Sequence, residues 1–169
     1  MNISRSLILL FFAFCSVQLN AQKCKYDLDK TDPMTNERVR RITYTIKNFF
    51  QISIFRKTDD YRVELTVRFV GERNFKVLAG EKIYLKLADG TILTLSAAQD
   101  ENPVSYAALG QVMTIYVVSY NISQDEMKQI SENGFTVVKV TLGGEELIYE
   151  TSDKTIPKTA AGAKCILSN

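Results

Sequence analysis

Residues 111–122 read QVMTIYVVSYNI, the most strand-like run in the chain. Val112, Tyr116, Val118, Tyr120 and Ile122 fall on one face of an extended backbone, and Met113, Ile115 and Val117 fall on the other. A strand that is apolar on both faces belongs in the middle of a sheet, with a covering layer on each side. Immediately afterwards the period changes. Ser123 is followed three residues later by Glu126, the spacing of a capping box. Met127 and Ile130 give a short helix near residues 124–132 its buried stripe. Gly134 supplies the backbone freedom at which that helix stops. Phe135 to Leu142 then resumes as a strand. This strand–helix–strand unit sets the fold class and contains no chemistry.

Outward from this unit the alternation continues. Ile42, Tyr44 and Ile46 point one way between polar neighbours, and Gln51 to Lys57 makes a second short strand. In Tyr61 to Val70 the residues Tyr61, Val63, Leu65, Val67 and Phe69 face in, while Arg62, Glu64, Thr66 and Arg68 face out. Lys82 to Ala88 and Thr91 to Ala97 flank Asp89-Gly90, a pair that suits a type I′ hairpin turn. Gln99 to Gly110 reads as a loop. Gly143-Gly144 turns the chain into a last short strand, Glu145 to Thr151. The tail after Asp153 has room for one or two helical turns before Cys165. Eight or so short strands with one good helix predict a mostly β domain, an antiparallel two-layer sandwich, with a closed barrel as the alternative.

The N-terminus has the three parts of a secretory signal peptide over residues 1–21. Arg5 is its positive charge, Leu7 to Val17 its apolar core, and Ala21 the small residue at the cut. The core is too short to span a bilayer. Neither Cys15, after Phe14, nor Cys24, after Lys23, follows the small residue that a lipid attachment site requires. The mature chain is then a single β-rich domain, residues 22–169, with no second long apolar run and therefore no membrane span. Its net charge falls from +2 to +1 when Arg5 leaves, so no strong pull toward nucleic acid is expected, and the expected location is periplasmic or extracellular.

Cleavage also removes Cys15 and leaves Cys24 and Cys165 near the two ends. In an oxidising compartment such an isolated pair forms a disulfide. Closing so long a loop stabilises by roughly 4 to 5 kcal/mol on the chain-entropy model. A redox or metal pair would need more ligands at tighter spacing.

The chain has no histidine and no tryptophan. The first absence excludes Ser-His and Cys-His nucleophile pairs, histidine metal sites and histidine acid–base catalysis. No glycine-rich phosphate loop appears. Glu145 and Glu146 are neighbours in a strand, point to opposite faces and cannot share one substrate. Asp27, Asp29 and Asp32 invite a calcium reading, but their spacing lacks the glycine and the terminal glutamate of an EF-hand loop. No catalytic residue, cofactor or metal site is therefore expected. Charge is uneven: residues 38–76 carry ten Lys/Arg against four Asp/Glu, a net of +6, and residues 77–169 a net of −4. The basic segment is either a face for an anionic partner or a set of solvent-side residues neutralised across the sheet.

Several features occur together: Asn20-Ala21-Gln22 at the cut, Cys24 with Tyr26, the Asp32-Pro33 to Val39 turn, Gly80-Glu81-Lys82-Ile83 leading to Asp89-Gly90, and Lys164-Cys165-Ile166. In these the chain resembles a group of small secreted proteins of the Bacteroidetes, themselves uncharacterised. Asn36 stands where the turn pattern of that group has glycine. The resemblance implies export and a β-rich fold and supplies no catalytic residue.

The functional expectation is an exported, non-enzymatic β-domain that binds something at the cell envelope, a protein or a glycan. One alternative is a carrier of a small apolar ligand, its cavity lined by Phe69, Tyr84, Tyr116 and Tyr120. Another is an envelope structural subunit that assembles by strand addition at an open edge.

Overall fold

Alternating side chains make each strand a two-faced ribbon, and ten such ribbons bond into one sheet. The computed structural model describes residues 24–108 and 110–168. The signal segment 1–21, with Cys15, lies outside the described residues. The strands are β1 (Leu28–Thr31), β2 (Arg38–Lys47), β3 (Phe50–Lys57), β4 (Asp60–Val70), β5 (Lys82–Leu87), β6 (Ile92–Ala97), β7 (Val104–Ala108), β8 (Gln111–Asn121), β9 (Phe135–Leu142) and β10 (Glu145–Glu150). Two helices are found among the described residues, α1 (Gln124–Asn133) and α2 (Ile156–Leu167).

Every strand pairing is antiparallel, in the order β1-β2-β3-β4-β8-β6-β5-β9-β10, with β7 also on β8. The sheet folds over where β8 meets β6, a junction of only Ser96 with Asn121 and Ala97 with Tyr120. Its two halves then face each other as the layers of a sandwich. The Phe50 and Tyr149 rings stack at 3.7 Å between them. The order runs from β1 to β10 without closing, so the barrel alternative does not apply.

In β2, β4, β5 and β6 the buried face is the one the alternation marks. Ile52, Val63, Leu65, Leu85, Val118 and Val140 are all essentially without solvent contact. Phe75, in the loop after β4, packs against the core beside Phe69 and Gly143. Its ring stacks on Tyr116 at 4.3 Å, and its carbonyl accepts the Tyr116 hydroxyl at 2.9 Å. The capping box forms as the spacing requires. Ser123 accepts the Glu126 N–H, and Glu126 accepts the Ser123 N–H. Gly134, at φ 65°, ends α1.

Four expectations need correction. β1 lies in the polar residues before the Asp32-Pro33 turn, where no alternation predicts a strand, because Asp29 and Lys30 hide its ladder with Arg40 and Val39. β7 lies in the stretch read as loop. The tail forms a full helix of 12 residues that runs past Cys165. The hairpin at Asp89-Gly90 is not type I′, since only Gly90 has positive φ. Gly90 N–H donates to the Leu87 carbonyl and Leu87 N–H to the Thr91 carbonyl, a three-residue loop with a left-handed glycine.

Cys24 and Cys165 are bonded, with Cα atoms 5.6 Å apart, inside the range a disulfide needs. The bridge ties the start of the described chain to α2. Tyr26 adds a hydrogen bond to the Cys165 carbonyl at 2.8 Å, and the Arg40 guanidinium lies over the Tyr26 ring.

Candidate functional site: an uncovered apolar face

The decisive strand departs from expectation at its start, where Val112 of the inner set is 46% exposed, and along its opposite face. Tyr116, Val118 and Tyr120 are fully buried, as predicted. Among the described residues no second layer covers the opposite face, where only Met113 is buried on β8. Val117 is 40% exposed there, and Ile115 is half-buried.

Register shows what surrounds them. Residues paired across antiparallel strands project to the same side. Met113 pairs with Val70 of β4 and with Tyr106 of β7. Ile115 pairs with Arg68 and Val104, and Val117 with Thr66. Val70, Val104, Tyr106, Ile115 and Val117 thus form one apolar patch across β4, β8 and β7. Val104 is 62% exposed, Val70 56% and Tyr106 39%. Arg68 stands among them. Its guanidinium donates to the Gln51 side-chain oxygen at 3.3 Å and meets no carboxylate within 4 Å among the described residues. Further along, the same face is polar, with Glu64 opposite Ser119 and Arg62 opposite Asn121.

The other basic residues of the 38–76 segment are mostly occupied. Arg38, Arg41, Arg56, Lys57, Arg62 and Lys76 each meet a carboxylate. Arg40 is buried. Arg56 also donates to the Ile166, Leu167 and Ser168 carbonyls at the end of α2, where a cation complements the helix dipole. The excess of positive charge is largely used within the sheet rather than gathered into one face.

The three acids of the calcium reading are dispersed. Asp27 accepts the Thr43 N–H at 2.5 Å, Asp32 closes its own turn through the Met34 N–H, and Asp29 takes a two-pronged contact from Arg38 at 2.8 Å. Hydrogen bonds from Arg38 hold the Asp29 carboxyl below the usual value. Those from Lys57 and Lys76 do the same for Glu37 and Asp100. Glu145 and Glu146 occupy successive positions of β10, and Glu146 pairs with Lys139.

Of the aromatics suggested for a carrier, Phe69 and Tyr116 meet edge to face at 5.8 Å, with Tyr116 stacked under Phe75, whereas Tyr84 points outward and is exposed and Tyr120 is in the packed core. A cleft of about 520 Å³ opens instead between β2 and α2, lined by Asp27, Tyr44, Thr45, Lys158 and Gly162. Two of its polar side chains bond backbone groups, Asp27 taking the Thr43 N–H. The Tyr44 hydroxyl donates to the Lys158 carbonyl at 2.9 Å, and burial raises its pKa far above the usual tyrosine value. No described helix is long and apolar enough to cross a membrane. No family model, curated protein or solved structure matches the chain.

Proposed function

We propose that this protein is an exported, non-enzymatic interaction domain that docks a partner at the cell envelope on the outer face of β4, β8 and β7. The observation that carries the reading is the apolar patch around Arg68. Four of the exposed large apolar residues, Val70, Val104, Tyr106 and Val117, lie together on this one face. Contiguous apolar surface of this kind is a mark of binding sites. Arg68 without a carboxylate asks for one from outside, so the partner presents apolar side chains around an acid. Support for export comes from the signal-peptide pattern, the Cys24–Cys165 bridge and the resemblance to small secreted proteins of the Bacteroidetes. Support for a non-enzymatic role comes from the absence of histidine and the dispersal of the acids.

A photo-crosslinking side chain placed at Val117 tests this in the cells that make the protein. The expected result is a discrete adduct heavier than two copies of the chain, lost when Arg68→Glu is added. The same group at Ile92, exposed on the other layer, gives none. Equal labelling from both positions, or none from Val117, overturns the reading.

A further inference from the structure

β7 is an uncharged free edge of the sheet. The strands that end the sheet carry charge, Asp29 and Lys30 on β1 and Glu145, Glu146 and Glu150 on β10, and the uncharged β6 is held on both sides at Ser96. Charged side chains are the usual protection of an edge against another chain. From Val104 to Ala108 there is no charge, proline or bulge, and residues Val104 to Ala107 are all exposed. The orientation of its backbone follows from the ladder. Gly71 N–H donates to the Val112 carbonyl, so the even residues of β8 turn their backbone toward β4. The odd residues Met113 and Ile115 therefore bond Tyr106 and Val104. Ser105 and Ala107 are left with their N–H and C=O groups pointing away from β8.

We propose that β7 pairs edge to edge with β7 of a second copy, antiparallel and centred on Tyr106, joining two sheets about a two-fold axis. Ser105 then exchanges both backbone hydrogen bonds with Ala107 of the other copy, and Tyr106 faces its own counterpart as a cross-strand aromatic pair. Charge favours this edge over β10. The same arrangement centred on Ile148 would set Glu146 against Glu150 of the second copy, like charges directly opposite. The pairing also makes the two apolar patches continuous through Val104 and Tyr106, and it holds whatever else docks on that face.

The test uses the protein purified after export, with its disulfide intact. Sedimentation velocity over a concentration series is expected to show a monomer–dimer equilibrium. Ala107→Pro removes only an outward N–H, which an edge strand tolerates, and is expected to weaken dimerisation roughly tenfold or more with the melting temperature unchanged. Tyr106→Cys is expected to cross-link two copies under mild oxidation, since opposed residues of a non-hydrogen-bonded pair lie at disulfide distance. Ile148→Cys is expected not to. A wild-type protein that stays monomeric throughout, or a Tyr106→Cys protein that forms no covalent dimer, overturns the proposal. If Ala107→Pro fails to fold, the cysteine pair decides.

Discussion

Tyr44 and Gly162 set the closest approach between β2 and α2. A Cβ on Gly162 would collide with the Tyr44 hydroxyl, which is fixed by its bond to the Lys158 carbonyl. Alanine in a helix interior is ordinarily better than glycine by about 0.5 to 1 kcal/mol. Here overpacking, costing about 1 to 3 kcal/mol, outweighs that gain. Gly162→Ala is therefore expected to lower stability in urea titration, and to do so less in a Tyr44→Phe background, where the hydroxyl is gone. Equal losses in both backgrounds would place the strain elsewhere. The acids give a second expectation at this scale. Asp29, Glu37 and Asp100 titrate below their usual values when folded, held there by hydrogen bonds from Arg38, Lys57 and Lys76. Such groups stabilise above the unfolded pKa and lose that stabilisation as pH falls through the folded one. The melting temperature should be level from neutral pH to about 5 and fall below about 4. All three pairs are exposed, so the fall is shallow and added salt flattens it. Asp29→Asn should remove part of it.

The C-terminal helix depends on three ties of different kinds: the Cys24–Cys165 bridge, the Tyr26 hydrogen bond to Cys165, and Arg56 at its last carbonyls. Reduction is expected to raise the intact mass by about 2 Da, to open two thiols to alkylation and to cost roughly 4 to 5 kcal/mol, lowering the melting temperature by several degrees or more. Two alkylatable thiols in untreated exported protein would contradict the bridge. How far each element was legible follows from its pattern. β4 announces itself because it alternates over many residues, and β8 because it is a long run of β-branched and aromatic residues. The helix α1 does so because Ser123 and Glu126 form a complete cap. β1 is legible only from its partner, since Leu28 is its one apolar residue. β7 left a trace in Val104-x-Tyr106, masked by Pro103 and Gly110 on either side. The extent of α2 was obscured by Gly162, a helix breaker by propensity that is required by contact with Tyr44.

Across the whole molecule, the sequence showed that β8 is apolar on both faces, and the natural inference was burial on both. The inner face follows that inference from Tyr116 onward, where Phe75 stacks on it, but not at Val112. The outer face does not, because the sheet folds over at the β8–β6 junction and leaves β4, β8 and β7 without a covering layer. Which side a curled sheet covers depends on that fold-over, and strand periodicity carries no record of it. The candidate site was thus written in the sequence as Ile115 and Val117 but was read as core. The partners of that patch, Val70, Val104 and Tyr106, come together only through register.

Hydroxyl-radical footprinting of side chains tests the central claim, that this face is covered when the protein is at work. Oxidation rates of the exported protein would be compared between a dilute purified sample and the native cell envelope. The account predicts that Val70, Ile115 and Val117 become protected in the envelope, while Met34, Ile92 and Ile148, exposed on other surfaces, oxidise at unchanged rates. Unchanged rates at Val70, Ile115 and Val117, or protection spread evenly over all six positions, would contradict it.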